Sequence, residues 1–459
     1  MHTAALRLAA LLMFAALANV CTLAAAENDQ IQEATVRAHM EFLASDAMNG
    51  RGSGTRDEWI TATYIAAQMR RQGLKPLGDE GDFVQTVTVD KTEAVGSPVL
   101  KVGALALTHG DDMVIARLNT ASLSGELQRF RSGTAHAPGP ILLMPESAGL
   151  GLPAEARDAR LLLYRETPAI REQWIRIAQR TLLVGRARIG SVAETPAPTG
   201  PSQIFLSAAV YDKLAGIPDG SPVSLSAATR ETVGHTWNAV AQLTGADPVA
   251  RDQIILLTAH LDHLGARDTG EDKIYNGADD DASGSIAVLT LAEALGHGPR
   301  LKRTVVFAWF GSEEAGGYGA RYFVGKPVVP LQNIVANIEF EMIGRPDAAV
   351  AAHTLWLTGW ERSDLGPQLA RHGANLVADP HPEQNFFTRS DNIALAMRGV
   401  VAQTVSSFGL HADYHQPSDE ISRIDFGHMT AAIQSMLAPI RWLGDSVFQP
   451  AWLPGGRPQ

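Results

Sequence analysis

Histidine and carboxylate side chains bind divalent metals and move protons near neutral pH. In this sequence several of them fall at a repeated kind of position. His260 ends a run of apolar and β-branched residues, Ile254–Thr258. The pair Glu313–Glu314 follows a second run, Thr304–Phe310, Glu341 ends a third, Ile334–Phe340, and His415 lies in the loop after a fourth, Val400–Val405. Open α/β sheets bind ligands just beyond the carboxyl ends of their strands. Four strands would therefore deliver imidazole or carboxylate groups to one rim. Each residue alone has an ordinary explanation, but their joint placement does not. Between the first run and a helical pattern lies Asn276-Gly277-Ala278-Asp279-Asp280-Asp281-Ala282-Ser283-Gly284. Three adjacent aspartates repel one another unless cations or solvent compensate. A solvated turn capping the helix is the competing reading, and a calcium loop is weaker because its ligand spacing is absent.

The elements that must position these residues are legible in the periodicity. The four runs read as buried strands of a mainly parallel sheet. Ser285–Leu295 is helical, with Ser283 able to cap it. Val36–Leu43 and Trp59–Met69 flank a glycine-rich loop, Asn49–Thr55, and read as an entry helix pair. Residues 96–232 differ. Short β-like runs (Ile141–Met144, Leu161–Tyr164, Thr181–Val184, Gln203–Leu206) alternate with Pro, Gly and Ala turns, and His109 and His136 stand there without acidic partners. The expected organisation is a discontinuous α/β domain over 27–95 and 233–459, its mainly parallel mixed sheet sandwiched by helices. A β-rich domain at 96–232, carrying no catalytic group, interrupts it.

The motifs AHLDHLG (259–265), NGADDDASG (276–284), WFGSEEAG (309–316), EMIGR (341–345) and DYHQPSD (413–419) occur in an order and general spacing that resemble the double-zinc aminopeptidases. These are zinc exopeptidases related to glutamate carboxypeptidase and the transferrin-receptor ectodomain. The resemblance covers about residues 35–90 and 235–445, and the inserted region resembles, more faintly, their protease-associated domain. It implies a zinc-exopeptidase fold with two Zn2+ ions and makes Asp280 a carboxylate bridging both. His260 and Glu341 would complete one site, Glu314 and His415 the other. Cobalt or manganese are alternatives, since carboxylate-rich sites accept several divalent ions.

By the same resemblance, Asp262 orients His260, Glu313 is the general base and Tyr414 supports the oxyanion, while a metal-bridging hydroxide attacks N-terminal peptide bonds. A cis bond is implied at Asp280–Asp281. Two positions depart from the pattern: Glu341 replaces a usual aspartate, and Ser390-Asp391-Asn392 replaces a common Ser-Asp-His. His263 and His411 have no ligand position in it and are expected to support the site or its loops. Carboxypeptidase and glutaminyl-cyclase chemistry are alternatives on the same scaffold. A non-catalytic receptor-like binding protein is another, and it would lack ligands or base.

Composition provides ample material for a core. The 459 residues are 45% apolar and 19% charged, which is globular, and the net charge of −11 with no basic block argues against nucleic acid or anionic membrane as partners. Peptides are the expected partners. Residues 1–26 read as a signal peptide, with Arg7, an apolar run from Leu8 to Ala18 and a small-residue end at Ala24–Ala26. The run is short for a membrane span, and Ala18-Asn19-Val20 lacks the small residue that usually precedes a lipidated cysteine. Export to the periplasm or medium, not integral membrane insertion, is expected. Cleavage would remove Cys21, the single cysteine, leaving only His, Asp and Glu to hold metal.

Overall fold

A computed structural model describes residues 30–459 except 135, 137, 147–151, 191, 193–199 and 269. The signal-peptide segment and Cys21 lie outside the described residues. The chain divides into two compact units, Met1–Val87 with His235–Gln459, and Thr88–Gly234.

The first unit is built on strands β1 (Pro222–Leu243, of which the last residues belong here), β2 (Ile254–His260), β3 (Thr304–Phe310), β4 (Ile334–Phe340), β5 (Leu355–Leu357), β6 (Leu376–Ala378) and β7 (Ala402–Ser406). Their order is β6-β5-β7-β4-β2-β3-β1. β3, β2, β4 and β7 run parallel, and β1 and β5 join antiparallel. Every residue of β2 and β3 is buried, as expected for strands covered on both faces. Alternate residues serve opposite faces: Ile255, Leu257, Val305, Phe307 and Ile338 pack into one core, and Leu256, Val306, Ala308 and Phe310 into the other.

Among the described residues, the first face is covered by α1 (Glu33–Leu43), α2 (Arg56–Arg71), α3 (Gly284–His297), the short helix Leu365–Arg371 and the long C-terminal helix Phe426–Asp445. Helix α3 is apolar nearly all round because it lies between the sheet and both α1 and the C-terminal helix. Thr55 caps α2 by accepting from Asp57 N and Glu58 N, with acids in its first turn and arginines in its last. Ser283 does not cap α3. Its hydroxyl donates to Asp279 O at 2.7 Å, and the helix amide of Gly284 donates instead to Asp281 Oδ1 at 3.0 Å. No described helix is long and apolar enough to cross a membrane.

The second unit centres on a sheet ordered Ser122–Arg129, Ile141–Leu143, Leu161–Arg165, Ser202–Leu206, Met113–Arg117, the first four parallel. It also carries helices Pro168–Glu172, Trp174–Gln179 and Ala208–Ala215, which turn-punctuated short runs do not signal. Thr181–Val184 is not a strand there: Leu183 and Val184 make only isolated bridges, to Glu93 and Leu118. His109 Nδ1 accepts from Ile115 N at 3.2 Å, and His136 stacks on Phe130. Both histidines thus have local packing roles. Replacing both with alanine is expected to leave metal content and turnover almost unchanged, and loss of metal from the folded double variant would show that the site is misplaced.

Candidate metal centre

The rim at the carboxyl ends of β2, β3, β4 and β7 collects the residues singled out above. His260 is the last residue of β2, Glu313 and Glu314 follow β3, Glu341 follows β4, and His415 lies beyond β7. Donor atoms of His260, Asp280 and Glu341 lie within 4.8 Å of one another, as do those of His263, Asp280 and Glu314. Asp280 is the member common to both groups. Its Oδ1 is 3.3 Å from His260 Nε2 and its Oδ2 3.1 Å from His415 Nε2, while His415 Nε2 is 3.2 Å from Glu314 Oε1.

The three adjacent aspartates divide the work. Asp279 accepts from Gly344 N through Oδ1 at 2.7 Å and contacts His411 Nε2 through Oδ2 at 2.9 Å. Asp281 accepts from Met342 N at 3.0 Å, from Gly284 N, and from His260 N at 3.3 Å. Both are structural clamps between the turn and the ends of neighbouring strands, and of the three only Asp280 faces His260 and His415. Asp419, the last residue of DYHQPSD, accepts from Asp279 N and Asp280 N at 3.0–3.2 Å. It therefore ties the His415 loop to this turn. The Asp280–Asp281 peptide bond is cis, and Gly284 allows close packing, since a Cβ there would meet Phe340 O at 2.1 Å.

Asp262 lies 3.7 Å from His260 Nδ1, beyond hydrogen-bond range. Its carboxylate accepts from Glu313 N at 2.9 Å, from Glu314 N at 3.4 Å and from the Ser53 hydroxyl. Its clearest structural work is therefore to hold the glutamate pair in place. Tyr414 stacks on His415 with ring centroids 3.9 Å apart. It lines, with Glu341, Met342, Trp356, Phe386, Phe408 and Arg389, a pocket beside the centre. Non-glycine residues with left-handed φ occur at Ser312 and Met342, next to Glu313 and Glu341, and at His415 itself. Each such conformation costs about 1–3 kcal/mol, and such strain concentrates at functional sites.

The electrostatics call for a cation. Burial, reinforced by neighbouring carboxylates and opposed by His260, pushes Glu313 well above the usual carboxylate range. The same balance, with burial dominant, pushes Glu341 up to about 7 and Asp391 to about 8. Both ring nitrogens of His260 and of His263, and Glu314 Oε1, are buried without a hydrogen-bond partner. Unsatisfied buried groups of this kind are costly. Lone pairs converging on shared points fit divalent metal.

Two contributors, Arg51 and Glu339, were not found from the sequence, and a third, His263, was expected only to support the site or its loops. Arg51, in the glycine-rich loop, is fully buried and donates to the carbonyl oxygens of Leu43, Leu261, Asn276 and Gly277 at 2.6–3.1 Å. Glu339 is buried behind the centre and accepts from Asn392 N and the Thr404 hydroxyl. This gives the unusual Asn392 a backbone role, with its side-chain amide donating to Phe387 O and Ala402 O. His263 reaches the Glu314 side of the centre, with Nδ1 2.8 Å from Glu314 Oε1. Glu339 stands two residues before EMIGR and His263 lies within AHLDHLG, whereas Arg51 had only its place in the glycine-rich loop.

A mainly parallel α/β sheet with a His and carboxylate cluster at its carboxyl rim defines the class of open α/β scaffolds that bind their ligands where the strands end. Residues 238–439 match the model of peptidase family M28. Leucine aminopeptidase 2 of Trichophyton rubrum is 29% identical over 217 residues, covering 42% of this chain and 41% of that protein. Leupeptin-inactivating enzyme 1 of Streptomyces exfoliatus is 31% identical over 144 residues, 30% of each chain. The matches thus span less than half the length of these relatives. In fold, the chain is similar to an aminopeptidase from Aneurinibacillus sp. strain AM-1, with TM-score 0.59, 16% identity and coverage of 91% of this chain and 95% of that one. A zinc aminopeptidase from Bacillus subtilis superposes with TM-score 0.55 at 17% identity, covering 91% and 97%.

Proposed function

We propose that this protein is an exported di-zinc aminopeptidase that removes residues from the amino end of peptides. The observation that carries the reading is Asp280, whose two oxygens face His260 on one side and His415 on the other. His260, Asp280 and Glu341 would hold one zinc, and Asp280, Glu314 and His415 the other. Zinc held there would polarise the scissile carbonyl and make a water molecule acidic enough to serve as nucleophile near neutral pH.

The chain's own residues supply the remainder. Glu313, beside a ligand but outside the ligand set, takes the proton from water and delivers it to the departing amine. The Tyr414 hydroxyl donates to the oxygen that gains charge at the scissile carbon. Asp262 keeps Glu313 and Glu314 in register through their backbone amides. The pocket lined by Met342, Trp356, Phe386 and Phe408 suits a large apolar side chain. The leucine aminopeptidase relatives support that preference. In the interrupting domain at 96–232, taken as protease-associated-like, no residue enters the chemistry.

Arg389 in the same pocket favours a second reading, carboxypeptidase action with the guanidinium on a peptide's terminal carboxylate. Zinc analysis with turnover of free, N-acetylated and C-amidated peptides separates the two. The expected result is two zinc ions, cleavage of free and C-amidated peptides, and none of N-acetylated ones. Cleavage that survives N-acetylation but not C-amidation would establish the carboxypeptidase instead. A folded protein binding no zinc and cleaving nothing would refute both.

A further inference from the structure

We propose that His263 is a fourth protein ligand on the Glu314 side, so that the two metal positions are chemically unequal. The inference rests on the di-metal reading above and goes beyond its ligand set, which leaves His263 out. The ring is fully buried. Its Nδ1 lies 2.8 Å from Glu314 Oε1 and 3.8 Å from Asp280 Oδ2, yet neither ring nitrogen has a hydrogen-bond partner. Two electron-rich atoms held that close, without a hydrogen bond between them, are aimed at a common point.

His415 completes the set, 3.1 Å from Asp280 Oδ2 and 3.2 Å from Glu314 Oε1. With zinc–nitrogen and zinc–oxygen bonds of about 2.0–2.2 Å, donors of a tetrahedral site stand about 3.3 Å apart. The four separations, 2.8, 3.8, 3.1 and 3.2 Å, scatter about that value. The fold also makes a place for the ring. His263 N donates to Arg51 O at 3.0 Å, and Gly277, at φ +58°, leaves space where a Cβ would meet His263 ring carbons at 2.5 Å.

Two imidazoles and two carboxylates fill the coordination of a zinc ion, as in sites that retain metal for structural reasons. The His260–Asp280–Glu341 side keeps three donors and an open position. The Glu314-side ion is therefore the firmly held one, and the Glu341-side ion the one that exchanges and meets the substrate.

The full chain loaded with 113Cd and labelled with 15N-histidine reads this directly. One-bond coupling to cadmium is expected for three histidines, His260, His263 and His415. Chelator competition on the zinc protein should release one ion quickly and one slowly. In His263→Gln the slow phase should accelerate by about 100-fold or more, beyond the roughly 10–100-fold usual when only a supporting partner is lost. Cadmium bound at both positions with only His260 and His415 coupled would overturn the proposal while leaving the di-metal reading intact. A folded chain that binds no cadmium or zinc would refute the di-metal reading itself. Because the coupling is read on the unaltered sequence, a variant that fails to fold does not remove the test.

Discussion

Glu313→Gln is expected to lower kcat by about 10³–10⁴-fold, the upper part of the range for a general acid–base group, while the protein keeps both zinc ions and still binds substrate. That range corresponds to about 4–5.5 kcal/mol of transition-state stabilisation. Glu314→Gln, an identical change one residue on, should instead lose affinity at one metal position. The asymmetry follows from placement. Glu314 Oε1 is buried between His263 Nδ1 at 2.8 Å and His415 Nε2 at 3.2 Å, where a carboxamide would substitute a weaker neutral donor. Glu313 and His415 both fall outside the two donor groups, but His415 Nε2 approaches the Asp280 and Glu314 oxygens to 3.1 and 3.2 Å. Their backbone amides are both anchored on Asp262, so neither substitution should displace the loop. Metal analysis and steady-state kinetics on the two variants decide the matter. Loss of zinc from Glu313→Gln with retention in Glu314→Gln would reverse the roles, and full activity in both would remove Glu313 from the mechanism.

The second large effect lies outside the ligand set. Arg51→Met should destabilise the fold by about 3–5 kcal/mol, the range for removing one partner of a buried charge network. Four backbone carbonyls would lose their donor. The buried aspartates Asp281, Asp280, Asp262 and Asp419, which all interact favourably with the guanidinium, would lose a compensating charge. At about 2–4 °C per kcal/mol for a domain of 150–250 residues, the midpoint should fall by at least about 6 °C. Arg51→Lys should recover only part of this, because an ammonium lacks the planar fork that reaches several carbonyls together. Thermal unfolding should be followed with and without chelator, since bound metal adds stability of its own. A midpoint within about 1 °C of the parent in both conditions would show that the four hydrogen bonds are dispensable.

The two effects divide along what each level of description could reveal. Strand and helix periods, read locally, were enough to place β2, β3, β4 and β7, the entry helices and α3. The rule that parallel sheets bind at their carboxyl ends then brought His260, Glu313, Glu314, Glu341 and His415 to one rim. Those inferences need only side-chain alternation and the chemistry of residue types, which are properties of short segments.

Which neighbour does what was not legible there. Asp279, Asp280 and Asp281 are identical in type, and only the folded turn separates two clamps from the one carboxylate that faces both histidines. Ser283 looked like a cap, but in the fold the serine hydroxyl serves Asp279 and Asp281 takes the helix amide. Arg51 read only as part of a glycine-rich loop, yet its hydrogen-bond partners at Leu261, Asn276 and Gly277 are more than 200 residues away. His263 depends on contacts with Glu314 and on the space beside Gly277. The sequence by itself determined the class of scaffold and the ligand-bearing rim, because period and residue chemistry are local. Tertiary structure alone decided the roles of the adjacent aspartates, of Arg51 and of His263, because burial, orientation and long-range partners exist only once the chain has closed on itself.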